Sequence, residues 1–259
     1  MNSQLLKFLY LIQALTMFTC LNGLAQPEPT ERKYNHHSQL WLNLSLSKRV
    51  RNTNFELSSD VQHRRQSVNN KYFQIAKAYQ YQAYRLWLNY RTGNSVISFS
   101  PFMYVHEVPL SDDGWSFIEE PQEEFRPSVR YEQKNESGKI KICNRYGFEY
   151  RYRRKTEKRD EAWHEWRIRY MLRLEKSLTE STGLIFQNEV FLSLGKYIQS
   201  NIFDHNRTML ALKYNGLENR EIVAGYMINQ EMLRSGKEFN LIHIIYLSLS
   251  FYNVFNQLK

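Results

Sequence analysis

Residues 166–175 of the chain read WRIRYMLRLE, and apolar and charged side chains alternate along this stretch. A helix would scatter the arginines over different faces, whereas an extended strand, with its period of two, keeps them together. As a strand, the stretch has two uniform faces, formed by Trp166, Ile168, Tyr170, Leu172 and Leu174 and by Arg167, Arg169, Arg173 and Glu175. We therefore predict a β-strand with one apolar face and one strongly charged face.

The same alternation recurs from Gln39 onward, in about eleven segments of about 10 to 14 residues that are separated by polar turns. The other segments are 40–47, 55–64, 83–90, 97–105, 125–132, 145–153, 183–194, 207–214, 220–228 and 240–251. In segment 97–105, an uninterrupted period of two places Met103 and Val105 on the same face as Phe99. Segments of this length can cross a bilayer as tilted strands, which takes about 9 to 11 residues.

Strands can span a membrane only as a closed barrel, because every backbone N–H in lipid needs a partner. The expected fold class is therefore all-β, a single antiparallel transmembrane β-barrel. Its Tyr- and Phe-rich face would meet lipid, and its Arg/Glu face would line the lumen. The alternative is a soluble sandwich or lipocalin-like barrel. It is disfavoured because strands in soluble proteins average about 5 to 6 residues and turn their charged face outward to water.

The connections predict the number of strands. Short turns follow the odd-numbered segments, and longer polar connections, such as 65–77 and 108–121, follow the even-numbered ones. Outer-membrane barrels have short periplasmic turns, long external loops and, in bacterial single chains, an even number of strands. We therefore expect twelve strands, with ten as the alternative. The twelfth would come from residues 26–38, as an irregular strand or as a segment that threads the lumen.

A length of 259 residues fits one domain or two small ones, and the formal charge is +9. Hydrophobic residues make up 42% and charged residues 24%, which excludes a wholly disordered chain. A mean hydropathy of −0.61 excludes a bundle of transmembrane helices. It does not exclude a barrel, because alternating strands average out to hydrophilic.

Residues 1–25 have the features of a secretory signal peptide. A polar start with the single cation Lys7 precedes a short apolar run, and residues 23–25 offer the small side chains that a signal peptidase recognises. The apolar run is shorter than the roughly 20 residues of a spanning helix. We therefore expect a signal peptide at 1–25, a polar lead segment at 26–38 and an outer-membrane β-barrel domain at 39–259, secreted via Sec in a Gram-negative cell.

The second half of the chain contains several short motifs. They are Asn188-Glu189-Val190, Gly195-Lys196, Phe203-Asp204-His205-Asn206-Arg207 and Gly225-Tyr226-Met227, and they follow the Arg-rich strands Asn144-Arg145-Tyr146 through Glu149, Arg151 and Arg153, and Arg167-Ile168-Arg169-Tyr170. In order and spacing they resemble the domain-of-unknown-function 2490 family of outer-membrane proteins, from Trp41 to the C-terminal strand. The resemblance implies an outer-membrane barrel but no chemistry, because the family has no assigned activity.

The chain departs from that family at Asp204-His205-Asn206, where members commonly carry Gln in the middle. His205 is therefore not expected to be a shared catalytic residue. We expect a loop-clamping network of Asp204, Asn206 and Arg207 with Glu189 here, rather than a metal site, because one carboxylate and an arginine repel most metals. Glu189 and Arg207 share the lumen phase and are separated by a single loop, so we expect them in one interior network.

The charged faces of the predicted strands would line the lumen. Arginines in this phase are Arg64, Arg85, Arg126, Arg130, Arg145, Arg151, Arg153, Arg167, Arg169, Arg173 and Arg207. Carboxylates in this phase are Glu56, Asp60, Glu132, Glu149, Glu175 and Glu189. The expected lumen network consists of Arg145, Glu149, Arg151, Arg167, Arg169, Glu189, Asp204, Asn206 and Arg207.

Two non-enzymatic functions agree with such a lumen. Arginines bonded to glutamates across strands would fill a small barrel and make it a structural surface protein. Surplus arginines would instead focus positive potential in a narrow passage and make it an anion-preferring pore. Outer-membrane lipid is the expected partner in both cases, with small anions as the solutes of a pore. Export and the lumen position of the arginines argue against nucleic acid.

An outer-membrane lipid-modifying enzyme with a Ser/His site at the barrel rim is the remaining alternative. Its parts would be His106 with Ser98 or Ser100, or His243 near Ser248 or Ser250. The sequence otherwise lacks a Gly-rich phosphate loop, a nucleophile elbow and a His-Glu-x-x-His motif, so no catalytic residue is assigned. No cofactor and no metal are expected, because Cys and His residues do not show zinc-site spacing.

Overall fold

The structure, a computed structural model, describes residues 33–67, 74–108, 121–155, 161–195, 202–233 and 238–254. The strands are β1 (Lys33–Arg49), β2 (Phe55–Gln66), β3 (Ala78–Thr92), β4 (Ser95–Glu107), β5 (Gln122–Phe125), β6 (Ser128–Ser137), β7 (Ile140–Arg153), β8 (Trp163–Ser177), β9 (Thr182–Leu194), β10 (Phe203–Tyr214), β11 (Arg220–Met232) and β12 (Glu238–Phe251). No helix in these ranges is long and apolar enough to cross a membrane.

Residues Tyr34–Lys259 form one compact unit. The predicted signal peptide at 1–25 lies outside the described residues, as does the greater part of the predicted lead segment. Residues 33–38, the end of that lead segment, belong to β1. They lengthen the first strand and do not form an additional one.

The strands form one closed sheet in which strands that follow each other along the chain pair with each other, except at β5 and β6. β5 and β6 share one position in the barrel. β5 pairs with the last residues of β4, and β6 pairs with the first residues of the same strand. The division falls at Arg126-Pro127, where proline has no N–H to donate to a ladder. The barrel therefore has eleven strand positions, although twelve strands are present.

The barrel closes through a parallel pair, β1 and β12. The rings of Tyr34 and Phe239 stack with their centroids 5.5 Å apart near the start of both strands. Asn43 Nδ2 donates to Ser248 Oγ at 3.1 Å farther along, and Val254 N donates to the backbone oxygen of Ser47 at 3.2 Å near the end. Residue numbers increase together along both strands, so the strands run in the same direction.

These observations confirm the predicted all-β closed barrel and correct two of its details. The sheet contains twelve strands, the predicted number, but β5 and β6 share one position, so the barrel has eleven positions rather than an even number. The predicted fully antiparallel ladder is also wrong, because an odd number of alternating strands brings the first and last together in the same direction. A parallel ladder still pairs backbone N–H and C=O groups, so the odd count leaves no open edge.

The outer surface of the barrel is apolar. Each strand position exposes at least one large hydrophobic side chain on this surface, for example Leu42, Leu57, Leu86, Phe99, Val129, Phe148, Ile168, Phe186, Leu210, Ile222 and Leu247. The alternate positions face the interior, where most strands carry charged and polar side chains and β9 to β12 also contribute a buried hydrophobic cluster that includes Ile185, Met209, Val223 and Ile244. The two faces are therefore those that the period of two predicts.

The phase changes once within β4. Leu86 lies opposite Phe102, whereas Leu88 lies opposite Phe99, so three residues of β4 span the distance covered by two of β3. This β-bulge inverts the alternation beyond Pro101. Met103 and Val105 are consequently buried, at 2% and 0% exposure, and the prediction that they share the face of Phe99 is wrong.

The barrel has two different ends. At the turn end, strands are joined by the short connections 50–54, 93–94, 138–139, 178–181 and 215–219. Gly93 and Gly138 have φ values of 53° and 60° there, a left-handed conformation that glycine adopts without steric cost. At the loop end, strands are joined by the longer connections 67–77, 108–121, 154–162, 195–202 and 233–237.

Candidate functional site: an arginine-lined lumen

Within the part of the chain that the structure describes, one cavity lies toward each end of the barrel interior. The turn-end cavity has a volume of about 350 Å³ and is lined by residues such as Asp60, Arg130 and Arg145. The loop-end cavity has a volume of about 410 Å³ and is lined by residues such as Arg167 and His205. Three residues line both cavities and mark the place where they meet, namely Trp41, Arg64 and Arg207.

Arg64 and Arg207, the central arginine pair, contact aromatic rings. The Cζ atom of Arg64 lies 3.7 Å from the ring centroid of Trp41 and 3.9 Å from that of Tyr81. The Cζ atom of Arg207 lies 5.0 Å from the centroid of Trp41 and 4.5 Å from that of Phe191. Arginine stacks well on aromatic faces because its guanidinium is planar and weakly hydrated.

Neither member of the central arginine pair forms an ion pair with a described carboxylate. Arg64 Nη2 donates to Gln62 Oε1 at 3.3 Å. Arg207 Nε has no hydrogen-bond partner in the part of the chain that the structure describes. Positive charge is therefore concentrated where the cavities meet.

Most other interior arginines are ion-paired. Arg169 bridges two carboxylates, with Nη1 at 2.5 Å from Glu149 Oε1 and Nη2 at 2.7 Å from Glu189 Oε1. Glu149 also faces Arg85 at 3.4 Å. Toward the turn end, Arg145 Nε donates to an oxygen of Glu132 at 2.8 Å, and Lys213 bonds Glu175. These pairs link neighbouring strands and occupy interior space.

The densest network lies toward the loop end, around Glu124. Its carboxylate, which is 1% exposed, accepts from Arg126 at 2.6 Å, from Arg151 at 2.7 and 2.8 Å, and from Arg153 at 3.2 Å. Arg151 also contacts Glu165 at 2.8 Å. Charge-assisted bonds of this kind fix side chains firmly because arginine presents several donors in a rigid fork.

The structure places eight of the nine expected lumen-network residues in the interior, namely Arg145, Glu149, Arg151, Arg167, Arg169, Glu189, Asp204 and Arg207. Glu189 and Arg207, which were expected in one interior network, lie directly opposite each other on β9 and β10. Glu189 nevertheless bonds Arg169, while Arg207 stacks on aromatic rings.

Asn206, the ninth residue, lies on the outer face, because it falls between the interior residues His205 and Arg207. Its Oδ1 accepts from Asn188 Nδ2 at 3.1 Å, and its Nδ2 donates to the backbone oxygen of Glu189 at 3.2 Å. The expected clamp of Asp204, Asn206 and Arg207 is thus split between the two faces. A bulge between Phe203 and His205 explains why Asp204 and His205 both reach the interior.

The sequence analysis missed six interior carboxylates. Five of them are Glu107, Glu124, Glu165, Glu221 and Glu231, and the sixth, Asp204, was expected in the lumen network but was left out of the count of lumen-phase carboxylates. Glu165 lies two residues before Arg167, so a longer period-two window would have found it. With these residues, twelve carboxylates face the eleven expected arginines, and the lumen has no arginine surplus by number.

The structure separates the serines and histidines of the alternative function, a rim enzyme. Ser98 and Ser100 are fully buried, and Ser100 Oγ donates to the backbone oxygen of Phe102. Ser248 bonds Asn43 inside the lumen, whereas His243 bonds the hydroxyl of Tyr226 on the outer face. Among the described residues, no cluster of three or more His, Cys, Asp or Glu side chains could hold a metal ion.

Two solved structures are similar in shape to the chain. One, "NanC porin structure in rhombohedral crystal form", has a TM-score of 0.44 at 9% sequence identity and covers 76% of this chain and 85% of its own. The other, an anion-selective porin from Comamonas acidovorans, has a TM-score of 0.37 at 10% identity and covers 77% of this chain and 54% of its own. No curated protein matches the sequence.

A family model described as "Protein of unknown function (DUF2490)" matches residues 38–240. The match spans the strands from β1 to the start of β12 and confirms the family resemblance that the short motifs indicate. Because it covers more than half of the sequence, the chain belongs to the DUF2490 family.

Proposed function

We propose that the protein is an outer-membrane β-barrel that acts as a narrow, anion-preferring pore, with the central arginine pair as its selectivity point. The observation that carries this proposal is the position of Arg64 and Arg207. Both line the two cavities at the place where these meet, and both stack on aromatic rings without a described carboxylate partner.

The outer surface supports membrane insertion. Every strand position exposes hydrophobic side chains. In water this arrangement would be unfavourable, because a large apolar surface would stay in contact with solvent. In a bilayer the same band lies in hydrocarbon, and the closed ladder satisfies the backbone. Heat-modifiable migration on detergent gels and recovery in the outer-membrane fraction are the expected results. A soluble periplasmic monomer would contradict this part of the proposal.

Anion preference rests on the distribution of charge rather than on its total. Interior carboxylates outnumber the expected arginines by one, but most of them neutralise arginines directly. The central arginine pair has no described ion-pair partner, and uncompensated positive charge in a narrow passage raises the local concentration of anions.

A structural barrel with a filled lumen is the second candidate. The observation in its favour is the network around Glu124 and Glu149, whose ion pairs fill much of the interior. Barrels of about eight strands are filled by side chains and barrels of sixteen or more leave a channel, so eleven positions lie between the two regimes. The separated serines and histidines give the lipid-modifying enzyme no comparable support.

Planar-bilayer recording with different KCl concentrations on the two sides distinguishes the candidates. The pore predicts a reversal potential displaced toward that of chloride. Replacing both central arginines, as Arg64→Met with Arg207→Met, should reduce this displacement. The matched control is Arg130→Met in the turn-end cavity, where Arg130 stacks on Trp87 at 4.0 Å. Cation preference would contradict the charge argument, and no current from a correctly folded barrel would favour the structural protein.

A further inference from the structure

We propose that a groove on the outer surface of the barrel binds one phospholipid, with the phosphate of the lipid at His36 and His243. This seam groove lies where β1 and β12 close the barrel, and it has a volume of about 660 Å³. Residues that line it include His36, Ile75, Tyr226, His243 and Ile245. The inference rests on the proposed membrane position of the outer surface, and not on any conductance of the lumen.

A chain of hydrogen-bonding groups crosses three strands in the seam groove. Nδ1 of His243 on β12 bonds the hydroxyl of Tyr226 on β11, and Nε2 of the same ring lies 3.5 Å from Nδ1 of His36 on β1. A neutral imidazole has one donor and one acceptor nitrogen, so the chain can run in either direction. One direction leaves the Nε2–H of His36 free, and the other leaves the hydroxyl hydrogen of Tyr226 free. In both cases one donor remains for a ligand.

Both ends of this chain are accessible from outside the barrel. Tyr226 is 43% exposed, and His36 is exposed as well. The rest of the described lining consists of Ser38 and isoleucines, without Asp, Glu, Lys or Arg. An acyl chain can therefore pack against the isoleucines, and no carboxylate in the lining repels an anionic head group.

The seam groove lies at the loop-end boundary of the apolar outer surface. On its turn-end side, β1 and β12 each present four apolar side chains in succession on the outer face. They are Leu40, Leu42, Leu44 and Leu46 on β1, and Ile245, Leu247, Leu249 and Phe251 on β12. Each run extends about 20 Å along its strand, because a strand rises about 3.3 Å per residue. The groove is therefore at the depth where the chains of a lipid meet its head group.

Histidines mark the same boundary around the barrel. Five of the seven lie on the outer face in the loop-end part of a strand, each an even number of residues from an exposed hydrophobic residue of that strand, and they are His36, His63, His106, His164 and His243. The ring centroids of His63 and His106 lie 5.9 and 5.6 Å from that of Tyr79, and His164 bonds the hydroxyl of Tyr150. Paired aromatic rings of this kind are typical of the interface between lipid and water.

The two histidines of the seam groove favour a phosphate over a neutral head group. A phosphate accepts several hydrogen bonds and carries negative charge, and an imidazole that takes up a proton becomes a cation with two donors. The titratable groups in the lining are His36 from β1, His243 from β12 and Tyr226 from β11, while the 67–77 connection contributes Ile75. A phosphodiester keeps its single charge as histidine titrates near its ordinary pKa of about 6.5. The affinity for the lipid should therefore rise as the pH falls through this value.

Native mass spectrometry of the full barrel in detergent tests the inference with dioctanoyl phosphatidylglycerol and with dioctanoylglycerol, which has the same chains but no phosphate. We expect the phosphatidylglycerol to bind about tenfold more tightly, because its phosphate gains charge-assisted hydrogen bonds. This preference should increase by about a further fivefold between pH 8 and pH 5.5. His243→Phe keeps a flat ring but removes both nitrogens, and it should abolish the preference and its pH dependence. His164→Phe, the matched control outside the groove, should leave both unchanged.

Heat-modifiable migration of each variant shows that it is folded. Equal binding of the two lipids, or an equal loss in His243→Phe and His164→Phe, would overturn the inference. Displacement of the phosphatidylglycerol by inorganic phosphate would show that the head group alone is held, and it would overturn the choice of a lipid. Fractionation of cells tests the membrane position separately. A barrel that is recovered in the outer membrane but does not distinguish the lipids overturns the seam groove alone, whereas a soluble protein overturns both proposals.

Discussion

Arg151 and Arg207 lie in the same lumen, but their charges are compensated in different ways. Arg151 contacts Glu124 at 2.7 Å and Glu165 at 2.8 Å, and its side chain is 4% exposed. Arg207 stacks 4.5 Å from the centroid of Phe191 and has an Nε without a described partner. The first arginine is bonded by two carboxylates, and the second lines both cavities without a described ion-pair partner.

This difference assigns separate roles to the two groups of arginines. Removing a charge from water costs several kcal/mol unless a partner compensates it. Paired arginines therefore join strands and stabilise the barrel. The ring-stacked arginines contribute less to stability, because contact with an aromatic face is worth about 0.5 to 2 kcal/mol. Four substitutions test this division, from the largest expected effect on stability to the smallest.

Glu124→Gln should cause the largest loss of stability. The substitution leaves Arg126, Arg151 and Arg153 without their shared carboxylate, and breaking a buried pair in this way costs about 3 to 5 kcal/mol. Guanidinium unfolding in detergent, followed by tryptophan fluorescence, measures the change. The control is Glu136→Gln, because Glu136 is 63% exposed at the turn end. Equal unfolding midpoints for the two variants would contradict a structural role of the paired group.

The double variant with Glu124→Gln and Arg151→Met should lose less free energy of unfolding than the two single variants lose in sum. Arg151→Met removes one of the cations that Glu124→Gln leaves uncompensated. We expect a coupling free energy of about 0.5 to 3 kcal/mol, the usual range for residues in direct contact. The same unfolding measurements on the two single variants and the double variant complete the cycle. Simple additivity would mean that the pair does not act as a unit.

Arg207→Met should change the free energy of unfolding by less than about 2 kcal/mol, because only ring contacts are lost and methionine also packs well on aromatic faces. Its main effect should be on the reversal potential. Arg130→Met serves again as the control. A loss as large as that of Glu124→Gln would remove the distinction between paired and stacked arginines.

Arg154→Gln should have the smallest effect. Arg154 lies just beyond β7, is 71% exposed and donates to Glu123 at 2.9 Å. This hydrogen bond raises the pKa of Arg154, but the group is ionised at every pH of interest with or without it. Exposed pairs contribute little to stability because solvent screens them. The unfolding midpoint should therefore match that of the wild type, and a clear decrease would show that the loop-end rim is part of the stabilising network.

Much of the fold could be predicted because alternation is a local property. The pattern in 166–175 assigns each side chain to a face without knowledge of any partner strand, and the outward position of Ile168 and the inward position of Arg169 follow from it. The exceptions lie at irregularities. The bulges in β4 and at the start of β10 shift the phase, and their positions depend on pairing with the neighbouring strand.

The candidate site was only partly predictable. The sequence indicates which arginines face inward, but it does not indicate that Arg169 rather than Arg207 bonds Glu189, although Arg207 is the cross-strand neighbour of Glu189. That choice depends on the reach of long side chains across the lumen. The aromatic partners Trp41 and Phe191 carry no charge, so a search of the sequence for titratable groups passes over them.

The sequence by itself predicted a closed all-β barrel with an apolar exterior and arginines inside, because a period of two gives each strand one apolar and one charged face, and a closed ladder pairs every backbone N–H. Only the tertiary structure decided the eleven positions, the parallel closure of β1 and β12, and the difference between paired and stacked arginines. Each of these depends on contacts between residues far apart in the chain, and local side-chain patterns contain no record of them.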